Sequence, residues 1–146
     1  MLVIDTASGK VIAKLTGTGF ADAPPSKDGT FFHHGDGGLV AHEASTGAVR
    51  WRVFAKLPYY FGPVVSETHV FVFDNSGAEH AWRGFDALTG AKAFDVACSD
   101  YAPLTAGGGQ LFTFDDDGLV VRSGADGKTK YRVERDVDPP VLAGSD

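Results

Sequence analysis

Hydrophobic residues along this chain fall in short bursts separated by clusters of Gly, Asp, Ser, Thr and Pro, and they rarely recur at helical spacing. Apolar segments at 2–4, 39–41, 82–85 and 119–121 are each followed by a five-residue turn and then by a second apolar segment, at 11–15, 49–54, 92–96 and 129–133. Strand, tight turn and strand together predict a β-hairpin. The four turns align without a gap: DTASG at 5–9, EASTG at 43–47, DALTG at 86–90 and SGADG at 123–127. Their last residues, Gly9, Gly47, Gly90 and Gly127, stand 38, 43 and 37 residues apart. Glycine there has a steric cause, because hairpin loops of about three to five residues need one residue with positive φ. Turns are therefore expected at 7–9, 45–47, 88–90 and 125–127.

A second pattern recurs upstream of each hairpin. Pro25, Pro63, Pro103 and Pro140 open successive units; strands at 31–32, 70–73 and 111–114 follow, and then Asp/Gly turns at 36–38, 74–77 and 115–118. Each unit thus holds four antiparallel strands in about 40 residues, the size of one propeller blade. The divisions read as 1–23 for the second half of a blade, 24–62, 63–102 and 103–139 for three blades, and 140–146 for the start of another. Four residues beyond each turn glycine stands Ala13, Trp51, Phe94 or Tyr131, and the three aromatics are the expected repeat-packing residues. Val3, Ala41, Gly84 and Val121 share another column, where one blade is expected to press closely on the next. Leu39, Trp82 and Leu119 lie two residues earlier on the same face.

The segments GLVAHEASTGAVRW at 38–51 and GFDALTGAKAF at 84–94 resemble the PQQ-type repeat, GxLYALDxxTGxxxW, and the resemblance runs from Met1 to about Pro140. His42 and Arg122 stand where that repeat has Leu, Glu43 and Ser123 where it has Asp, and Ala13 where it has Trp. The Gly-His and Trp-Asp pairs of WD40 repeats, and the double glycine of Kelch repeats, do not recur. The implied fold class is all-β: blades of four-stranded antiparallel sheet in an incomplete propeller ring. Members of this repeat class are often periplasmic or extracellular.

Charge narrows the partners. With Lys+Arg 13 against Asp+Glu 19 and a net charge of −6, the chain lacks the basic footprint that nucleic-acid binding requires. No apolar run reaches the roughly 20 residues of a membrane span, and Met1 is not followed by a basic and then an apolar leader segment. The sequence therefore reads as a soluble chain without an export signal. Cys98, the single cysteine, permits no intrachain disulfide and is expected to behave as a small buried hydrophobe.

Several residue groups invite a chemical reading, and the repeat offers each a plainer one. Asp115, Asp116 and Asp117 could ligate calcium, but they occupy the turn that recurs at 36–38 and 74–77. His33, His34, His42, His69 and His80 fall in different columns and lack metal-ligand spacing; His33 and His34 are expected to point to opposite faces of a strand. Ser66, His69 and Asp74 lack the strand-turn-helix setting of a nucleophile elbow. Gly17-Thr18-Gly19 and Gly107 to Gly109 lack the helix of a phosphate loop. Tyr59, Tyr60 and Phe61, in the connection between two units, form a candidate partner-binding loop whose competing fate is burial at the blade junction.

Resemblance to quinoproteins implies two roles. One is a non-catalytic scaffold binding a protein or ligand, in the manner of the outer-membrane assembly lipoprotein; no catalytic, cofactor or metal residue is then assigned, and no cofactor is expected. The other is part of a PQQ-dependent dehydrogenase, with PQQ and calcium bound by residues outside this chain. Residues 1–5 align with 39–43 and residues 141–143 with 64–66, so three full units lie between half-units. The expectation is part of a longer propeller or, as the second outcome, self-association of two chains head to tail through open propeller edges into a ring of about eight blades.

Overall fold

The computed structural model describes residues 2–14, 26–35, 38–54, 62–74, 80–98 and 103–134. All regular structure among them is β. Strands β1 (Leu2–Ile4) and β2 (Val11–Lys14) form a two-stranded sheet. Three four-stranded sheets follow. The first contains β3 (Ser26–Lys27), β4 (Thr30–Gly35), β5 (Gly38–Glu43) and β6 (Val49–Phe54); the second β7 (Val64–Val65), β8 (His69–Asp74), β9 (Ala81–Asp86) and β10 (Lys92–Ala97); the third β11 (Thr105–Gly107), β12 (Gln110–Asp115), β13 (Gly118–Ser123) and β14 (Thr129–Glu134). Each sheet is an antiparallel meander in chain order. The first strands β7 and β11 of neighbouring sheets approach one another, so the blades stand side by side with their first strands converging.

The last hairpin of every blade is built by one local mechanism. Gly9, Gly47, Gly90 and Gly127 have φ between 69° and 73°, the left-handed region expected of them. Each donates its amide to the carbonyl of the residue four earlier, at 2.7–2.9 Å. In the first turn the Asp5 carboxylate accepts the amides of Ala7 and Ser8; in the third, Asp86 accepts those of Leu88 and Thr89 together with the Thr89 hydroxyl. In the fourth turn the roles are exchanged, since Ser123 Oγ takes the amide of Ala125 and Asp126 takes that of Lys128. Ser123 therefore stands in for Asp without loss of the turn.

A β-bulge in each of these hairpins aims the aromatic column. Ala41 faces Trp51 while His42 faces Val49, so neighbouring residues of β5 oppose residues two apart on β6. Neighbours on a strand point to opposite faces, and the extra residue, Arg50, therefore turns Trp51 to the face opposite Val49. The same shift occurs between β1 and β2 and between β13 and β14.

Two cores lie between blades rather than within them. Phe32, Leu39 and Ala41 of the first full blade meet Val70, Val72, Phe85 and Ala87 of the second, with Trp51, Val53 and Val65 at the margin. Phe71, Phe73, Trp82 and Val96 of the second meet Leu104 and Leu111 of the third, with Phe94 and the half-buried Cys98 alongside. Strand β8 thus sends Val70 and Val72 one way and Phe71 and Phe73 the other. That explains its uninterrupted apolar run, because both of its faces are covered. Gly84 departs from the expected blade-to-blade contact: the ring of Phe71, its own cross-strand neighbour, lies 2.6 Å from where a Cβ would stand.

Candidate functional site

A cleft of about 240 Å³ opens between the first and second full blades, lined by Asp28, Thr30, Glu67, Thr68, Asp86, Ala87 and Leu88. Two kinds of turn bring these residues to one end of the molecule. The amides of Ala44, Ala87 and Gly124, each one residue into its last hairpin, donate to the carbonyls of Gly29, Thr68 and Gly109 in the β3–β4, β7–β8 and β11–β12 turns, at 2.7–2.9 Å. The cleft residue Ala87 is tied to Trp51, whose Nε1 donates to the Ala87 carbonyl at 3.2 Å while its ring lies 2.7 Å from where a Cβ on Gly90 would stand.

The rim is acidic. Hydrogen bonds from the Thr89 hydroxyl and amide, and then from the Leu88 amide, hold the Asp86 carboxyl below the usual range, so it is ionised at neutral pH. Arg50 sits nearby, donating to Thr30 Oγ1 at 2.6 Å and pairing with Glu43 at 3.4 Å. Leu88 projects from the rim with 72% of its surface exposed. Carboxylates beside an exposed apolar side chain suit a cationic, partly apolar polypeptide segment. Asp28 has φ of 48°, a conformation Asp tolerates, and the Asp28-Gly29 dipeptide is the hairpin signal by which this side of the cleft could have been found in the sequence.

The sequence-derived candidates are dispersed. Trp51 and Phe94 each lie on the turn glycine of the following blade, the Phe94 ring being 2.6 Å from where a Cβ on Gly127 would stand, whereas Tyr131 is 52% exposed. Tyr59, Tyr60, Phe61 and the Gly17–Gly19 segment lie outside the described residues. Ser66, His69 and Asp74 do not converge: the Ser66 hydroxyl donates to the His69 carbonyl, the His69 ring shares a hydrogen bond with Thr68, and Asp74 pairs with Arg83. Gly108 and Gly109, both with positive φ, form the β11–β12 turn.

The calcium reading of Asp115 to Asp117 meets a resident charge. Arg132 pairs with Asp115 and stands 4.0 Å from Asp117, so a guanidinium already occupies the place a cation would need. In the preceding blade Asp74 pairs with Arg83, which also reaches Asp95 at 3.0 Å. Val120 replaces Arg83 in the third blade and Arg132 replaces Asp95, which moves the cation one strand outward.

Among the described residues no three His, Cys, Asp or Glu side chains form a metal-binding group. His33 and His42 are buried with ring centroids 4.8 Å apart, on the face of the first full blade that looks toward β1–β2. His42 stacks on Phe31 and bonds the Gly47 carbonyl at 2.9 Å through Nδ1. In the same column Arg122 reaches the Gly127 carbonyl at 3.4 Å. Both replacements of the repeat's Leu therefore tie a turn from its inner side.

Four-stranded antiparallel sheets packed face to face, with Trp51 and Phe94 each laid on the next sheet's turn glycine, define part of a β-propeller of the PQQ-like type. The family profile described as outer membrane protein assembly factor BamB matches residues 2–136, and the chain belongs to this PQQ-like propeller repeat family. Similar solved structures include a europium-containing methanol dehydrogenase, with TM-score 0.64 and 12% identity, covering 90% of this chain and 38% of that one. BamB from Moraxella catarrhalis matches with TM-score 0.60 and 18% identity, covering 90% of this chain and 43% of that one. The chain thus spans about two-fifths of the length of these structures. No curated protein matches it.

Proposed function

We propose that this chain is a non-catalytic propeller module that binds a polypeptide segment in the cleft between its first two full blades. The observation that carries the reading is the pairing on one rim of the carboxylates of Asp28, Glu67 and Asp86 with the exposed Leu88. Three of the groups weighed for chemistry have structural tasks: Asp74 and Asp115 are held by arginines and Ser66 closes a turn. Membership of a family described by an outer-membrane assembly factor supports a scaffold role. A short peptide alternating Leu and Lys is the probe. Amide shifts confined to residues 28–30, 67–68 and 86–88, weakened by Glu67→Gln, are expected; shifts elsewhere or none would reject the cleft.

A second reading, quinone chemistry, has behind it the fold shared with the methanol dehydrogenase. A shared fold does not carry a reaction with it. The chain supplied with PQQ and calcium is expected to leave Trp51 and Trp82 fluorescence unchanged and to pass no electrons from alcohols to an artificial acceptor; calcium-dependent turnover would establish the second reading instead.

A further inference from the structure

The cleft between the first and second full blades has a counterpart one blade further on, and the two share a backbone. At the first, Ala87 donates to the Thr68 carbonyl; at the second, Gly124 donates to the Gly109 carbonyl, both at 2.9 Å. Their side chains differ. In the first, the earlier blade contributes Asp28 and the later one Glu67, Asp86 and Leu88. In the counterpart, the earlier blade offers Glu67 and the later one has Gly108, Ser123 and Ala125 at the matching positions.

The turns do not need these side chains. Leu88 stands two residues before Gly90, where the other three hairpins have Ala7, Ser45 and Ala125, and all four hairpins close with the same bond from the glycine amide. With 72% of its surface in water, Leu88 gains little from the fold. The β7–β8 turn departs as well. Asp28-Gly29 and Gly108-Gly109 have positive φ at both positions, which suits the twist of a two-residue hairpin, whereas Glu67 and Thr68 do not. That turn is held instead by the Ser66 hydroxyl, which accepts the His69 amide at 3.0 Å. The favoured turn is thus given up where Glu67 is set on the cleft.

We propose that Leu88 is the specificity-determining residue of this cleft: it selects a segment in which a large apolar residue adjoins a Lys or Arg, the apolar side chain resting on Leu88 and the cation on the carboxylates of Glu67 and Asp86. This rests on the reading of the cleft as a polypeptide site. Charge alone would admit any basic segment, and the apolar anchor narrows the choice.

Two peptides of equal length and charge provide the test, one alternating Leu and Lys and the other Ser and Lys. Each is titrated into the full chain while the amides of residues 28–30, 67–68 and 86–88 are followed. The unaltered chain is expected to bind the Leu peptide tighter by about tenfold, from partial burial of a Leu side chain. Leu88→Ala, which installs the residue found at Ala7 and Ala125, should remove most of that preference by weakening the Leu peptide while leaving the Ser peptide unchanged. Leu88→Ser, matching Ser45, should do the same. Glu67→Gln should weaken both peptides alike, by about two- to fivefold, as for an exposed ion pair. If the Leu peptide shifts these amides but binds no tighter than the Ser peptide, or if Leu88→Ala and Leu88→Ser keep the preference, Leu88 is not the selector, although the cleft still takes a polypeptide. Equal affinities before and after Glu67→Gln overturn the placement of the cation. A Leu peptide that shifts none of these amides rejects the polypeptide reading and the role of Leu88 with it.

Discussion

Trp51 and Tyr131 occupy the same position in their blades, each four residues beyond a turn glycine with φ of 72–73° and each set by the same bulge. Trp51 lies on Gly90 and donates a hydrogen bond to Ala87, while Tyr131 is 52% exposed. Local structure is therefore identical at the two places and burial is not. In this fold the hairpin is made by its own sequence, whereas the worth of its aromatic depends on whether another blade stands opposite. A blade here contributes half of two cores, and an end face is a core with one wall.

Truncation should separate the two positions most widely. Trp51→Ala empties a junction on which Phe32, Leu39 and Val72 also depend, and is expected to cost about 2 to 4 kcal/mol, the lower part of the range for large aromatics because the ring is half-buried. Tyr131→Ala in the monomeric chain should cost less than about 0.5 kcal/mol, as for a surface position. Urea midpoints of the two variants decide it, and equal losses would dissolve the distinction between junction and end.

The glycines allow a finer comparison. Replacing Gly9 by Ala meets only the backbone penalty of a left-handed residue, about 1 to 2 kcal/mol, since nothing lies near the added Cβ. Gly90→Ala carries that same penalty and also drives a methyl into the Trp51 ring, so its loss should be larger by roughly 1 kcal/mol or more. Thermal midpoints of both variants and of a Gly90→Ala/Trp51→Ala double variant test the cause, because the excess should vanish once the ring is gone.

The smallest effect belongs to the turn itself and is pH-dependent. The Asp86 pKa is lowered in the folded chain, so its hydrogen bonds add stability above the unfolded value of about 3.9 and lose it as pH falls through the lower folded value. Asp86→Ala is expected to cost about 1 kcal/mol or less at neutral pH, given the solvent around the carboxylate. The gap between the two proteins should close below about pH 4. A difference that does not shrink at all as the pH is lowered toward the acid unfolding of the chain would mean that the carboxylate charge is not what holds the turn.

Much of this was legible beforehand. The period, the hairpins, the positive-φ glycines and the blade class follow from the DxxTG columns and the apolar bursts, because turn chemistry and strand alternation are properties of a few adjacent residues. The acidic cleft was not, since Asp28 and Glu67 come from turns of different blades that are brought together only by stacking. Nor was the bulge, which leaves no mark beyond the spacing it corrects. His42 and Arg122 stand where the repeat has Leu, and only the fold brings each to a turn carbonyl across its hairpin.

What the chain determined by itself is therefore the blade: which residues turn, which pair, and which column carries the large ring. Only tertiary structure decided that Trp51 and Phe94 would be packed and Tyr131 left open, that Gly84 would yield its space to Phe71 rather than to a neighbour, and that Asp115 would find Arg132. Local hydrogen bonds and φ preferences act between residues a few positions apart and are encoded there. Burial is a relation between surfaces, and no residue carries it alone.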